Sequence, residues 1–120
     1  MDRDNAKVHL DRAITRARLR RYDEADVDYN QAIKLDPNYA KAFYEYAKTL
    51  CFLSSVPGRD RVSILGHAMK LLEDAVAIDK SIITQINRET NIFRVLRDSP
   101  VYGPRFTALV RQEPPKPLSS

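Results

Sequence analysis

The chain has 120 residues, a formal net charge of +4, 43% hydrophobic residues and 30% charged residues, a balance typical of one folded domain rather than a disordered chain. Only three glycines and no tryptophan disfavour a turn-rich β-sandwich, and the longest apolar runs are too short to cross a bilayer. The first residues lack the apolar core of a signal peptide and Cys51 is the single cysteine, so a cytoplasmic all-α protein without a disulfide is expected.

Three amphipathic helices are predicted in the first half of the chain. The first is predicted between Asn5 and Leu19, because apolar or small residues recur there at helical spacing, at Leu10, Ala13, Ile14 and Ala17. The second is RYDEADVDYNQAIKL, whose early acidic residues complement the partial charge of a helix N-terminus. Pro37 ends it, and a third helix follows in NYAKAFYEYAKTLCFLS.

The second half of the chain begins with a loop around Pro57 and Gly58, a proline–glycine turn pair. Asp60 is predicted to cap a fourth helix, which ends near Asp79. The segment IITQINRETNIFRVL predicts one or two shorter helices, and a last helical turn or two carries Phe106 and Leu109. The composition of EPPKPLSS, residues 113–120, predicts a disordered proline-rich tail.

Small, aromatic and proline residues recur at fixed intervals through the first two predicted helices. Small residues let antiparallel helices approach closely, and an aromatic side chain fills the adjacent hollow. The spacing resembles the tetratricopeptide repeat, a 34-residue helix–turn–helix unit, and the resemblance covers residues 6–39 without a gap. It implies packing roles for Ala13, Tyr22, Ala25, Tyr29, Ala32 and Pro37.

A second repeat is predicted over residues 40–80, although its inter-helix loop is longer than the turn of the family and Lys80 replaces the closing proline. The resemblance implies packing roles here for Phe43, Tyr46, Ala47, Leu72 and Ala75. Residues 81–112 are similar to the degenerate segment that closes chains of this family, with anchors at Leu96, Pro100 and Phe106. The expected fold is therefore all-α: antiparallel helix pairs in a short right-handed solenoid with a C-terminal helical cap, forming a single domain over residues 1–112.

Arrays of such repeats bind extended peptides or helices of partner proteins in a concave groove lined by the first helix of each repeat. The groove positions implied by the resemblance are Lys7, Leu10, Asp11, Ile14, Arg18, Lys41, Tyr44, Glu45, Lys48 and Phe52. Helical spacing independently places four of the second-repeat positions on one face. Tyr44 and Phe52 are expected at or near the surface as aromatic anchors, unless the C-terminal segment folds over them.

The expected function is that of a protein-binding adaptor or scaffold whose partner is a peptide or an amphipathic helix. One binding mode of the family is disfavoured, the clamp of lysine and asparagine that holds a C-terminal carboxylate. Lys7 matches its lysine, but Asp11 and Glu45 stand at the asparagine positions and would repel the carboxylate of a ligand.

Two other functions stay open. Five arginines between Arg12 and Arg21 form a basic cluster that is compatible with binding to nucleic acid or to an acidic partner, although no aromatic residues are interleaved to stack on bases. Because the chain has barely two regular repeats, the helices at the ends of the array are exposed and could pair with a second copy in a homodimer. The sequence contains no motif for metal binding, phosphate binding or nucleophilic catalysis, so neither a cofactor nor an enzymatic activity is expected.

Overall fold

The computed structural model describes residues 3–112, and within that range the chain forms helices and no strands. The helices are α1 Arg3–Arg18, α2 Tyr22–Leu35, α3 Ala40–Leu53, α4 Arg61–Ile78, α5 Ile82–Arg88, α6 Thr90–Arg97 and α7 Gly103–Val110. The prediction of an all-α fold is confirmed. The proline-rich tail that the sequence predicts lies outside the described residues.

Helices α1 and α2 form an antiparallel pair because only three residues separate them and the chain must reverse. Ion pairs along the two helices follow that order, since Arg16 lies 3.4 Å from Glu24 and Arg12 lies 2.7 Å from Asp28, one turn further from the reversal. Small residues on the two helices, Ala13, Ala25 and Ala32, are fully buried, and small buried residues let packed helices approach closely.

Aromatic side chains join the first helix pair to the second. The rings of Tyr29 in α2 and Tyr46 in α3 stack with centroids 4.8 Å apart and an interplanar angle of 8°. The Tyr29 hydroxyl shares a hydrogen bond of 2.7 Å with Thr49, and the Tyr46 hydroxyl donates to Asp26. Tyr29 and Tyr46, two of the aromatic positions noted in the sequence, therefore join neighbouring helix pairs, and the hydroxyl of each has a polar partner.

The connection to α4 uses the turn chemistry that the sequence predicts. Gly58 has a φ of +83°, a conformation that glycine adopts without a Cβ clash. Asp60 precedes α4, and its side chain accepts a hydrogen bond from the backbone N–H of Ser63. The predicted N-cap is confirmed.

Helix α6 covers one face of α3, and α6 and α7 both pack against part of α4. Tyr44 of α3 packs against Phe93 of α6 with centroids 5.7 Å apart, and Phe93 packs against Phe106 of α7 at 6.2 Å. On α4, Gly66 leaves room for Tyr102, since a Cβ built there would lie 2.5 Å from the Tyr102 hydroxyl oxygen. The C-terminal helices therefore cover the α3 face that would otherwise be exposed beyond the second helix pair. Within residues 3–112, no helix is long and apolar enough to span a membrane.

Candidate functional site

A cleft of about 320 Å³ opens between the C-terminal half of α1, the turn into α2 and the C-terminal half of α3. We call it the α1–α3 cleft. It is lined by Ile14, Ala17, Arg18, Arg20, Tyr22, Tyr29, Glu45, Lys48, Thr49 and Phe52. The volume lies near the lower end of the range typical of binding pockets, about 300–1,000 Å³, so it suits a few side chains of a partner rather than an entire helix.

The apolar wall of the cleft has one prominent exposed side chain. Phe52 is 55% exposed, whereas its neighbours Leu50 and Cys51 on the same helix are buried. Ile14 and Ala17 face it from α1 and are half-buried. A large ring left in water beside other apolar groups is a surface that gains free energy when a partner covers it.

The floor of the cleft is polar and internally satisfied. The hydroxyls of Tyr29 and Thr49 bond to each other at 2.7 Å. Burial raises the pKa of Tyr29 to about 12; the hydrogen bond to Thr49 and the nearby charge of Arg18 act in the opposite direction and are weaker. Because the phenol stays protonated near neutral pH, the floor carries hydrogen-bonding groups but no charge of its own.

The charged rim is unevenly paired. Lys48 lies 3.5 Å from Glu45 and 3.0 Å from Glu89, so its charge is balanced by carboxylates of the protein. Arg18 and Arg20 are exposed, and neither has a carboxylate partner among the residues that the structure describes. The rim therefore offers two guanidinium groups that the fold itself leaves open.

Comparison with known families decides what kind of helical array this is. The sequence model of the tetratricopeptide repeat matches residues 28–77, from the middle of α2 to the end of α4. Residues 28–77 therefore contain a tetratricopeptide repeat. No curated protein and no solved structure matches it. Tetratricopeptide repeats generally mediate protein–protein interactions, and the cleft lies between the first helices of two consecutive pairs.

The structure brings together five of the ten groove positions that the repeat pattern implied. They line the cleft and are Ile14, Arg18, Glu45, Lys48 and Phe52. Lys7 and Asp11 on α1 and Lys41 on α3 are exposed but lie outside this cleft. The groove residues are therefore not one continuous surface: those nearest the α1–α2 turn converge, and those toward the helix N-termini do not.

Two expected groove residues are corrected by their burial. Leu10 is 0% exposed and belongs to the core between the helices. Tyr44 is 1% exposed because α6 lies over it: its ring contacts Phe93, and its hydroxyl donates to Glu89 at 2.6 Å. The expectation of Tyr44 at the surface was wrong because the α3 face that carries it is covered by the C-terminal helices.

The arginine cluster is largely used within the fold. Asp28 is a buried carboxylate, 1% exposed, that accepts hydrogen bonds from Arg12 at 2.7 and 2.9 Å and from Arg16 at 2.8 Å. His9 lies 3.3 Å away. Arg21 lies 3.4 Å from Glu24. Three of the five arginines are therefore paired with carboxylates of this chain, which leaves a much smaller free cationic surface than the sequence suggested.

Asp28 also shows how burial and pairing compete. Burial alone would raise its pKa, but the hydrogen bonds from Arg12 and His9 and the charges of Arg12 and Arg16 outweigh burial and lower the pKa. The carboxylate is therefore ionised at neutral pH and binds α2 to α1.

Sequence reasoning missed three lining residues, Ala17, Arg20 and Thr49. Helical spacing could have found both Ala17 and Thr49, since Ala17 lies three residues after Ile14 and Thr49 lies four residues after Glu45. Arg20 had no such signal because it lies in the turn after α1, where helical spacing no longer predicts the direction of a side chain. Tyr22 and Tyr29, assigned to packing, also border the cleft.

Proposed function

We propose that this tetratricopeptide repeat protein binds a short segment of a partner protein in the α1–α3 cleft, with Phe52 as the apolar anchor. The observation that carries the proposal is the exposure of Phe52, 55%, within a concave surface between two first helices of the repeats. Exposed aromatic residues in such positions commonly dominate the binding energy of an interface.

The covering of α3 by α6 supports a short segment as the ligand. Tyr44 and Phe93 are buried against each other, so the middle of α3 is occupied by the protein's own C-terminal helices. Among the described residues, the face of α3 that borders the cleft toward α1 runs from Glu45 to Phe52. A partner that placed a few side chains in this region would bury Phe52 and Ile14 without displacing α6.

The test is a selection from a displayed library of random dodecapeptides on the full chain, followed by affinity measurements with the enriched peptides. Phe52→Ser should weaken their binding roughly 30-fold, since truncating an anchor costs about 2 kcal/mol. Val27→Ser is the matched control because Val27 is also exposed, at 65%, and does not line the cleft. Peptides that bind both variants as tightly as the native chain would contradict the proposal, as would a selection that enriches none.

A second copy of the chain is the other occupant that this design must detect. Sedimentation over a 100-fold range of concentration gives the mass of the native chain and of Phe52→Ser. The proposal predicts that both remain monomeric. A native chain that dimerises through Phe52 would show that the cleft serves self-association.

A further inference from the structure

Arg20 has an unusual backbone for its residue type. Its φ of +62° is the one positive value at a non-glycine position within residues 3–112. The N–H of Arg20 bonds to the Ala17 carbonyl at 2.9 Å, and the N–H of Arg21 bonds to the Arg16 carbonyl at 2.8 Å. This pair of bonds is the Schellman ending of α1, and glycine is the usual residue at the position of Arg20 because it has no Cβ to clash.

The described fold makes no use of the Arg20 side chain that would compensate for that strain. The side chain is exposed, and no hydrogen bond, ion pair or aromatic contact joins it to another residue in the described part of the chain. Neighbouring arginines differ, since Arg16 and Arg21 both lie near Glu24. An exposed arginine that borders a cleft and has a backbone conformation usual for glycine is a candidate for recognition of a ligand.

The charge of the cleft indicates which ligand group would be recognised. Its lining carries Arg18, Arg20 and Lys48 against the single carboxylate of Glu45, a net charge of +2. Lys48 is balanced by Glu45 and by Glu89. The uncompensated charge is therefore that of the two arginines, and planar guanidinium groups bind carboxylates through paired hydrogen bonds.

We propose that Arg18 and Arg20 recognise a carboxylate of the partner segment, so that the ligand carries an aspartate or glutamate close to a large apolar residue that packs on Phe52. The inference rests on the proposed function, because it names the chemistry of the segment that occupies the α1–α3 cleft. It differs from the clamp that Asp11 and Glu45 disfavour, since Asp11 lies outside this cleft and Glu45 lies 3.5 Å from Lys48. The two arginines lie instead at the end of α1 and in the turn after it.

The first arm of the test uses the same random dodecapeptide library on the full chain. Selection on the native protein should enrich Asp or Glu near a large apolar residue, and selection on the Arg18→Gln/Arg20→Gln variant should lose the acidic enrichment while keeping the apolar one. The most enriched peptide is then synthesised with a fluorophore and an amidated C-terminus. If the amidated peptide still binds, the protein recognises a side-chain carboxylate. If amidation abolishes binding and a free C-terminus restores it, the protein recognises the terminal carboxylate.

The second arm measures affinity by fluorescence anisotropy. Each arginine should raise the affinity for the peptide about two- to fivefold, so the double variant should bind roughly tenfold more weakly than the native chain. Added salt should reduce this difference in affinity. Lys34→Gln is the matched control because Lys34 is exposed at the far end of α2, outside the cleft, and should leave affinity unchanged. Arg20→Gly should weaken binding two- to fivefold while raising the Tm, since glycine relieves the backbone strain.

The outcomes separate the two proposals. Peptides that depend on Phe52 but show no acidic preference and bind the arginine variants normally would overturn the recognition of a carboxylate and leave the cleft as a binding site. Peptides that bind Phe52→Ser as tightly as the native chain, or a selection without enrichment, would overturn the proposed function and this inference with it. Tight, salt-sensitive binding of a random single-stranded oligonucleotide that competes with the peptide would reassign the two arginines to phosphate.

Discussion

Truncating Tyr44 tests whether the C-terminal helices cover α3 as described. Tyr44 is almost fully buried, its ring packs against Phe93 at 5.7 Å, and its hydroxyl donates to Glu89 at 2.6 Å. Lys48 lies with its Nζ 5.4 Å from the centre of the same ring. Replacement by alanine removes all of these contacts together and leaves a cavity between α3 and α6.

The expected loss follows from the kind of contact that is removed. Truncation of a buried aromatic side chain to alanine costs about 3–5 kcal/mol, and the hydrogen bond to Glu89 places Tyr44→Ala in the middle of that range, at about 4 kcal/mol. Phe52 lies on the same helix but is more than half exposed, so Phe52→Ala should cost less than about 1 kcal/mol. The two substitutions remove similar rings from one helix and differ mainly in burial.

Urea denaturation followed by circular dichroism measures both variants. With a urea dependence of about 2 kcal/mol per molar, Tyr44→Ala should lower the midpoint by roughly 2 M, whereas Phe52→Ala should shift it by less than about 0.5 M. Equal shifts for the two variants, or a loss below about 1 kcal/mol for Tyr44→Ala, would refute the placement of α6 over α3.

Two further predictions concern buried ionisable groups. Asp28→Asn should destabilise the fold by about 2 kcal/mol, as measured by urea denaturation at pH 7. The expected loss is smaller than the roughly 3–5 kcal/mol typical of breaking a buried ion pair, because Arg12 is half exposed. Because the folded pKa of Asp28 is lowered, its contribution is present above the unfolded pKa and is lost as the pH falls through the folded pKa. The native chain should therefore lose more stability than Asp28→Asn in acid; equal losses would show that Asp28 is not the responsible group. At alkaline pH, burial raises the pKa of Tyr29 to about 12, and burial together with the carboxylates of Glu89 and Asp26 raises the pKa of Tyr44 and Tyr46. The stability from these protonated phenols is complete below the unfolded pKa of about 10 and is lost as the pH rises through the folded values. Absorbance at 295 nm should show a part of the tyrosines ionising only with unfolding, and complete ionisation near pH 10 in the folded chain would contradict the burial of these rings.

Much of the fold could be predicted from local sequence patterns. Ala13, Ala25 and Ala32 indicated close helix contacts, and Asp60 indicated a helix start, because small residues and caps act over one or two helical turns. Those features depend on neighbours in sequence. The match of residues 28–77 to the tetratricopeptide repeat depends on the same short-range spacing.

The candidate site was harder to predict from the sequence because it depends on contacts between residues that are far apart along the chain. The pattern placed Tyr44 and Phe52 alike on the face of α3, two turns apart. Their exposure differs because Phe93 and Glu89, more than 35 residues further along the chain, cover Tyr44 and not Phe52. The open charges of Arg18 and Arg20 likewise became visible only when Asp28 and Glu24 were seen to pair with the other arginines of the cluster.

The proposed function requires a partner segment to occupy the α1–α3 cleft beside Phe52. Its most direct test is a two-dimensional ¹⁵N–¹H NMR titration of the full chain with the most enriched dodecapeptide. We expect the amide signals of residues 14–22 and 48–53 to move, while those of α5 and α7 keep their positions. Movement confined to α4 and the C-terminal helices, with the signals around Phe52 unchanged, would contradict it.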